Sequence, residues 1–439
     1  MANSSLPLRR ALPWLCFALT LLAAPLVFPQ SAALSLLSQM GTMVLLCLSY
    51  NMLLGEGGML SFGHAVYSGL GAFGAIHLMN HIGDGSVPFP ITLVPLAGGV
   101  VGALCGVVFG YLTTRRAGTT FAMITLGLVE LVSAGALMFP DLFGGEGGIS
   151  SNRVVGEPVL GISYGPQIQV YYLIAGWLFV CAIAICALAH TPLGRILNAV
   201  RDNPERAAFI GYDPQRVRYL ALILSAFFAG VSGGLSAINF EIVSAEYVGA
   251  LRSGSILLFT FIGGAGFFYG PIIGGVVGVL FASLLSAYTQ AWQFYLGAFF
   301  ILIVMALPGG LAKLVDNFAR VLRAQALDAA LARLLAALAL SGLLVLAGTV
   351  LGTEMLYQLS LGSLADTGSG VAPVVLFGLA IDVHSAWAWL LAVALVAAGV
   401  GAIVRLRQPW SAGWNAAWKK VESSEHAWRQ AGAKEREEA

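Results

Sequence analysis

The polar residues that could act chemically in this chain are few, and they gather in Gly55-Glu56-Gly57-Gly58-Met59-Leu60-Ser61-Phe62-Gly63-His64-Ala65. Glycines at this density interrupt a helix, so Glu56, Ser61 and His64 place polar atoms where lipid cannot satisfy them. They must face neighbouring helices or a water-filled path. A second broken stretch, Gly263-Gly264-Ala265-Gly266-Phe267-Phe268-Tyr269-Gly270-Pro271, follows an inward-running apolar run and precedes an outward one. Paired interruptions in two halves of a chain point to a transport pathway. The other reading is a pair of tight turns between packed helices. Glu130 lies inside the apolar run 118–139, and an ionisable residue at that depth is a functional candidate by default. It serves either the pathway or a hydrogen bond to a neighbouring helix. Beyond it, Gly144, Gly145 and Gly148 punctuate Phe143-Gly144-Gly145-Glu146-Gly147-Gly148-Ile149, which reads as an external cap or gate, or as an ordinary glycine-rich loop.

Bond-making chemistry has little support. The six histidines are scattered, and no pair has the spacing of a metal-binding helix. None of the four lysines follows a phosphate-binding glycine loop, so if solute moves uphill at the expense of ATP, another subunit hydrolyses it. No metal and no cofactor is expected on this chain. The cysteines, Cys16, Cys47, Cys105, Cys181 and Cys186, all lie in apolar runs and imply no disulfide framework.

Composition sets the solvent. With 58% hydrophobic and 10% charged residues, 439 residues have too little polar surface to cover a soluble globule. A net charge of +1 leaves no electrostatic footprint for nucleic acid. What matters is where the charges lie. Arg9, Arg10, Arg115, Arg116, the arginines from Arg195 to Arg218, Lys313 to Arg333, Arg405, Arg407 and the tail residues from Lys419 to Arg436 recur in alternate gaps between apolar runs. Only Arg153 and Arg252 fall in the other gaps. Positive charge near span ends is retained in the cytoplasm, so both termini are expected there, in a bacterial inner membrane. The gaps holding Asp84, Glu146, Glu157, Glu246, Asp366 and Asp382 then face outward. The run from Ala11 to Phe28 is long for a signal core and reads as an uncleaved first span.

The expected fold is an all-α polytopic membrane protein. Apolar runs near 11–29, 33–54, 59–79, 91–113, 118–139, 168–189, 219–240, 254–265, 271–288, 292–307, 334–353 and 386–404 give about twelve crossings. Residues 1–310 form a core of about ten spans. Residues 311–333 read as an amphipathic cytoplasmic helix, 334–404 as a two-span extension with an outward loop, and 405–439 as an interfacial tail. In that tail Trp410, Trp414 and Trp418 share one helical face, with Trp428 returning to it. Gly102, Gly106 and Gly110, and again Gly270, Gly274 and Gly278, make smooth ridges for close helix packing.

The loop from Leu193 to Arg218 must hold something rigidly. Asn203-Pro204 supplies an N-cap and a first-turn proline, Glu205 suits the positive helix end, and Gly211 supplies a stop. Ala207, Ala208, Phe209 and Ile210 lie on the short helix, and Asp213-Pro214 starts the next. A short helix clamped between two spans is a mechanical contact.

With these residues in hand, the chain resembles the LivM-like permeases of the branched-chain (hydrophobic) amino-acid ABC importers. The likeness rests on Asn51, Gly55, Gly58 and Ser61-Phe62-Gly63-His64-Ala65, then Arg201-Asp202-Asn203-Pro204-Glu205-Arg206-Ala207-Ala208-Phe209-Ile210-Gly211. Ser225 to Gly230, Gly263-Gly264-x-Gly266 with Gly270-Pro271, and Pro308-x-Gly310-Leu311 follow in order. It covers about residues 30–311 and leaves 312–439 without an inherited role. The resemblance implies a non-enzymatic transport subunit paired with a homologous second permease. It also implies two ATP-binding cassette subunits carrying ATP and Mg, a periplasmic solute-binding protein and surrounding membrane lipid. Arg201, Asp202, Glu205, Ala207, Ala208 and Gly211 would then couple to an ATPase. Gly55, Glu56, Gly58, Ser61, Gly63, His64, Glu130, Gly263, Gly264, Gly266, Gly270 and Pro271 would line or move the pathway. An ion-coupled secondary carrier is the competing reading, and the rigid short helix argues against it.

Overall fold

The computed structural model describes residues 5–155, 163–289, 291–326, 328–364, 374–376, 379–381 and 385–437. Among these the chain is almost entirely helical, because long apolar segments in lipid must satisfy their backbone groups internally. It divides into two compact units, Met1–Lys313 and Leu314–Ala439.

The first unit contains α1 (Ser5–Val27), α2 (Ser31–Asn51), α3 (His64–Gly83), α4 (Val94–Thr113), α5 (Thr119–Met138), the single turn α6 (Pro140–Phe143) and α7 (Gln167–His190). It continues with α8 (Pro192–Asp202), α9 (Pro204–Phe209), α10 (Pro214–Phe240), α11 (Ala250–Gly263), α12 (Gly270–Leu280), α13 (Ser286–Tyr288) and α14 (Trp292–Ala306). Every apolar run expected to cross falls on a helix. Among the described residues seven helices are long and apolar enough to span, and Ala11–Val27, Ala250–Gly263 and Gly270–Leu285 are shorter apolar helices. The third run starts later than its hydropathy suggests, at His64 and not residue 59, because residues 57–63 are spent on the glycine-rich break.

α10 is the axis of this unit, buried from Phe228 to Asn239. It is pinned by glycine on three helices. A Cβ at Gly102 on α4 would run into the Ala226 carbonyl of α10, and one at Gly106 would come within 2.9 Å of the Ala226 side chain. At Gly230 a Cβ would meet the Gly98 carbonyl, and at Gly71 on α3 it would lie 2.6 Å from the Gly230 Cα. Backbones in contact gain dispersion and Cα–H···O attraction where side chains would hold them apart. The second ridge works the same way, with Gly274 against the Phe259 carbonyl of α11 and Gly275 3.0 Å from Val44 of α2. Ser225 and Ser232 of α10 donate to the Ser49 and Thr42 carbonyls of α2 at 2.6 and 2.7 Å, so these buried hydroxyls are satisfied.

The second unit takes in most of α15 (Gly310–Arg323), with α16 (Ala329–Leu364) and α17 (Ala386–Glu437). A short hairpin pairs β3 (Val374–Leu376) with β4 (Leu379–Ile381). The amphipathic helix expected over 311–333 stops at Arg323. Gln325 takes φ 50°, and the Ala326 amide bonds the Val321 carbonyl, closing the end as a left-handed cap does. The remainder of that segment joins α16. The tail is no separate element either, since α17 runs through it. Trp410, Trp414 and Trp418 stack on one another at 5.3 and 6.3 Å, as their spacing requires. Trp410 and Trp414, partly buried, pack around Val321, Leu331 and Ala417. Asp366 and Asp382 of the expected outward loop, and the side chain of Trp428, lie outside the described residues.

Candidate functional site

Three proline-led helix starts build the loop between α7 and α10. Thr191 Oγ1 accepts from the Gly194 amide at 3.4 Å, Asn203 Oδ1 from Arg206 at 2.9 Å, and Asp213 Oδ1 from Gln215 at 2.9 Å. Each precedes a proline whose fixed φ suits the first turn. Gly211, at φ +99°, reverses the chain between α9 and α10. Ala207 is buried against the bundle, while Glu205, Ala208 and Gly211 are exposed. Beside them Phe209 is 91% and Ile210 71% exposed, an apolar tip on a rigid mount.

The same loop grips the first glycine break. Arg201 Nη1 donates to the Gly55 carbonyl, and Arg201 Nε pairs with Asp202 at 3.0 Å. The stem of Arg201 covers Gly58, where a Cβ would come 2.7 Å from its Cγ and φ is +63°. Asn198 donates to Glu56. α2 reaches this point by widening into a π-helical turn, Met52–Glu56, and it then unwinds. π-turns of this kind leave a helix locally adjustable.

The two breaks meet. A Cβ at Gly55 would strike the Ala265 carbonyl, so the end of α2 rests on the turn between α11 and α12. Gly264, at φ +108°, lies against the Gly309 carbonyl, and Gly310 against the Gly264 backbone. Gly263 and Gly270 touch across the turn, with Pro271 opening α12. Gly266 has open space around it and takes no part in this contact.

Ser61, Gly63 and His64 occupy the far side of the first break. Phe62 donates its amide to Thr125 Oγ1 on α5 at 3.0 Å, and a Cβ at Gly63 would run onto the Thr125 carbonyl at 2.5 Å. His64 Nε2 lies 2.9 Å from Ser49 Oγ, between the edges of Tyr50 and Tyr67. The Ala65 amide donates to Ser253 Oγ of α11 at 3.1 Å. His64 is therefore a buried strut between α2 and α3. Glu130 is not among these residues. It lies on a stripe of α5 with exposed Met123, Leu126 and Leu137 and half-buried Ser133, spaced three or four apart. One cavity of about 450 Å³ is lined by Gly58, Gly118 and Met123. Another of about 960 Å³ includes Ser133, Leu137, Glu146 and Arg252. The stripe runs from the first to the second.

At that second end the loop after α5 is folded, not slack. Gly144, Gly145 and Gly148 take φ of +74°, +61° and +70°, and β1 (Ile149–Ser150) pairs antiparallel with β2 (Ile242–Val243). His77 Nε2 lies 2.8 Å from the Leu142 carbonyl, and Phe143 stands edge-on to Phe73 at 4.9 Å. Arg153 ties the loop down. Its amide donates to Glu241 at 2.9 Å, and its guanidinium donates to Gln167 and the Gly165 carbonyl at 3.1 Å. Nearby, burial pushes the Tyr247 phenol up, with Arg252 opposing, so the ring stays neutral beneath that guanidinium.

Residues 32–307 match the family model described as the branched-chain amino acid transport system, permease component. The chain belongs to this family. As a permease it is 29% identical over 289 residues to the high-affinity branched-chain amino acid transport system permease LivM of Salmonella typhimurium, covering 61% of this chain and 67% of that one. LivM of Escherichia coli is 28% identical over 292 residues, with the same coverage. A probable branched-chain amino acid transport permease LivH of Methanocaldococcus jannaschii is 27% identical over 237 residues, 52% of this chain and 72% of the relative. No solved structure matches the permease significantly.

Sequence reasoning missed Asn198, Thr125, Ser49 and Ser253 as partners of the singled-out residues. Their one signal is a lone hydrogen-bonding side chain in an apolar or amphipathic run. It marks a need for a partner without naming it.

Proposed function

We propose that this permease is one of two membrane subunits of an ATP-driven importer of branched-chain amino acids or related small polar or organic-acid solutes. It lies in a bacterial inner membrane with both termini in the cytoplasm. A periplasmic binding protein delivers the solute, and two ATP-binding cassette subunits carry the ATP and Mg. The observation that carries this reading is the linkage from the exposed Phe209–Ile210 tip, through α8, to Gly55 and Glu56. A groove on an ATPase that buried the tip would gain its apolar surface. Motion of the tip would then pull on the π-turned end of α2, which rests on the α11–α12 turn.

The solute path follows the α5 stripe between the two cavities, facing the second permease subunit. Glu130 supports this, because a carboxylate on an exposed mid-span face is costly against lipid and must meet protein or water. The glycine loop at 144–148 closes the outer end.

Reconstituted with all its partners, the importer should accumulate L-leucine only when ATP is hydrolysed. Glu205→Arg should leave the complex assembled and hydrolysing ATP while uptake per ATP falls about tenfold or more. Accumulation without the ATPase subunits, or an unchanged coupling ratio, would count against the proposal.

A further inference from the structure

The larger cavity, about 960 Å³, has a charge arrangement that coupling does not need. Its wall includes Gly249, Ala250 and Leu251 at the start of α11. That helix has no side-chain cap, so its first amides lack an acceptor one turn back and present the positive helix end. Arg252 belongs to the same turn and lines the same cavity, its guanidinium 4.1 Å from the Tyr247 ring centroid. Its Nε is fully enclosed and has no hydrogen-bond partner among the described residues. Nor does Arg252 form an ion pair there. A half-buried guanidinium that has Tyr247 as a neighbour but no counter-ion, and one N–H left open, is costly unless an anion completes it, and a carboxylate fits its fork.

Glu146 and Glu246 line the same cavity, both exposed and both without an ion pair among the described residues. Opposite charges held around one space without ion pairs between them suit a molecule that carries both. Met43, Phe259 and Trp292 supply apolar wall between them.

We infer that Arg252 and the start of α11 bind the carboxylate of a zwitterionic α-amino acid, with the two glutamates facing its ammonium. The permease thereby reads the solute itself after the binding protein releases it. This rests on the importer reading above for the direction of arrival, but binding at the cavity needs no ATP.

The test uses the assembled importer in lipid nanodiscs, with its native cysteines replaced and Ser255, on the cavity wall, changed to cysteine. L-leucine should slow alkylation of that cysteine by a charged thiosulfonate, and L-leucinamide, which lacks the carboxylate, should not. Arg252→Gln should abolish the protection, and Arg252→Lys should keep part of it. In liposomes, Arg252→Gln should lower L-leucine uptake about tenfold to a hundredfold, as loss of a charge-assisted hydrogen bond implies. ATP hydrolysis stimulated by the binding protein should persist. The inference is overturned if L-leucine does not protect, if it protects Arg252→Gln equally, or if uptake by that variant is unchanged. It is also overturned if Arg252→Gln separates the two permease subunits on size exclusion, because Arg252 then pairs with the partner. Uptake by wild type without ATPase subunits would defeat the importer reading alone.

Discussion

Arg201 acts twice on one short segment: its head donates to the Gly55 carbonyl and its stem roofs Gly58. Those two contacts make α8 and the end of α2 move together. Arg201→Ala should therefore leave the permease folded, at a cost of about 1–3 kcal/mol for the lost charged hydrogen bond. It should still cut transport per ATP several-fold, while Arg201→Lys, a point charge without the fork, recovers only part. Parallel measurement of ATP hydrolysis and solute uptake checks this, and equal losses in both would assign Arg201 to stability. The caps at Asn203 and Asp213 were legible in the sequence because a cap and its helix are neighbours along the chain. The Arg201–Gly55 and Asn198–Glu56 pairs were not, because their partners are 146 and 142 residues away. Glu130 was legible as an anomaly but not as a direction. Depth is encoded by the surrounding run, whereas the face it occupies depends on what α5 packs against.

At the scale of elements, glycine decides which helices touch. The i, i+4 ridge on α4 announces itself by spacing, but its counterparts on α10, Gly230, Gly233 and Gly234, follow no such repeat. Gly230→Ala forces a Cβ onto the Gly98 carbonyl, and neither backbone can yield without parting α3, α4 and α10. It should destabilise the permease by about 1–3 kcal/mol or prevent its accumulation. Gly127→Ala on α5, where no atom lies within 4 Å, should be neutral or gain up to about 1 kcal/mol from helix propensity. Thermal unfolding of both variants in one detergent tests the contrast. If the two melt alike, the seam is not close-packed. Helix existence was readable from apolar runs, but ends were less so. α3 starts late because backbone is diverted into the glycine break, and α15 stops early because Gln325 adopts a left-handed conformation that its residue type does not advertise. The Trp ladder was readable as a face, but the sequence could not say that Val321 and Leu331 occupy it.

Over the whole molecule, charge and backbone breaks fall at matching ends. Arg201 sits at the junction of Gly55 with the loop before α10, and Lys313 follows the Gly309–Gly310 turn that meets Gly264. Arg153 and Arg252 lie at the opposite end, each held by its own local contacts, the first by Glu241 and Gln167 and the second by the Tyr247 ring. In the proposed orientation these two exceptions to the charge asymmetry fall on the translocated side, and each is held by local contacts that commit its charge. The proposed orientation therefore rests on the free arginines, not on the total. Single cysteines at Phe209 and Glu146 should consequently label from opposite sides, with an impermeant maleimide reaching position 146 in intact cells and position 209 only after the inner membrane is breached. Replacing Arg153 with glutamine should leave that pattern unchanged, since its charge is already committed to the outer loop. Replacing Arg115 and Arg116 together should weaken it, because they are exposed and unpaired with any acid among the described residues. Labelling of position 209 in intact cells would reverse the molecule and put its apolar tip where no ATPase could reach it.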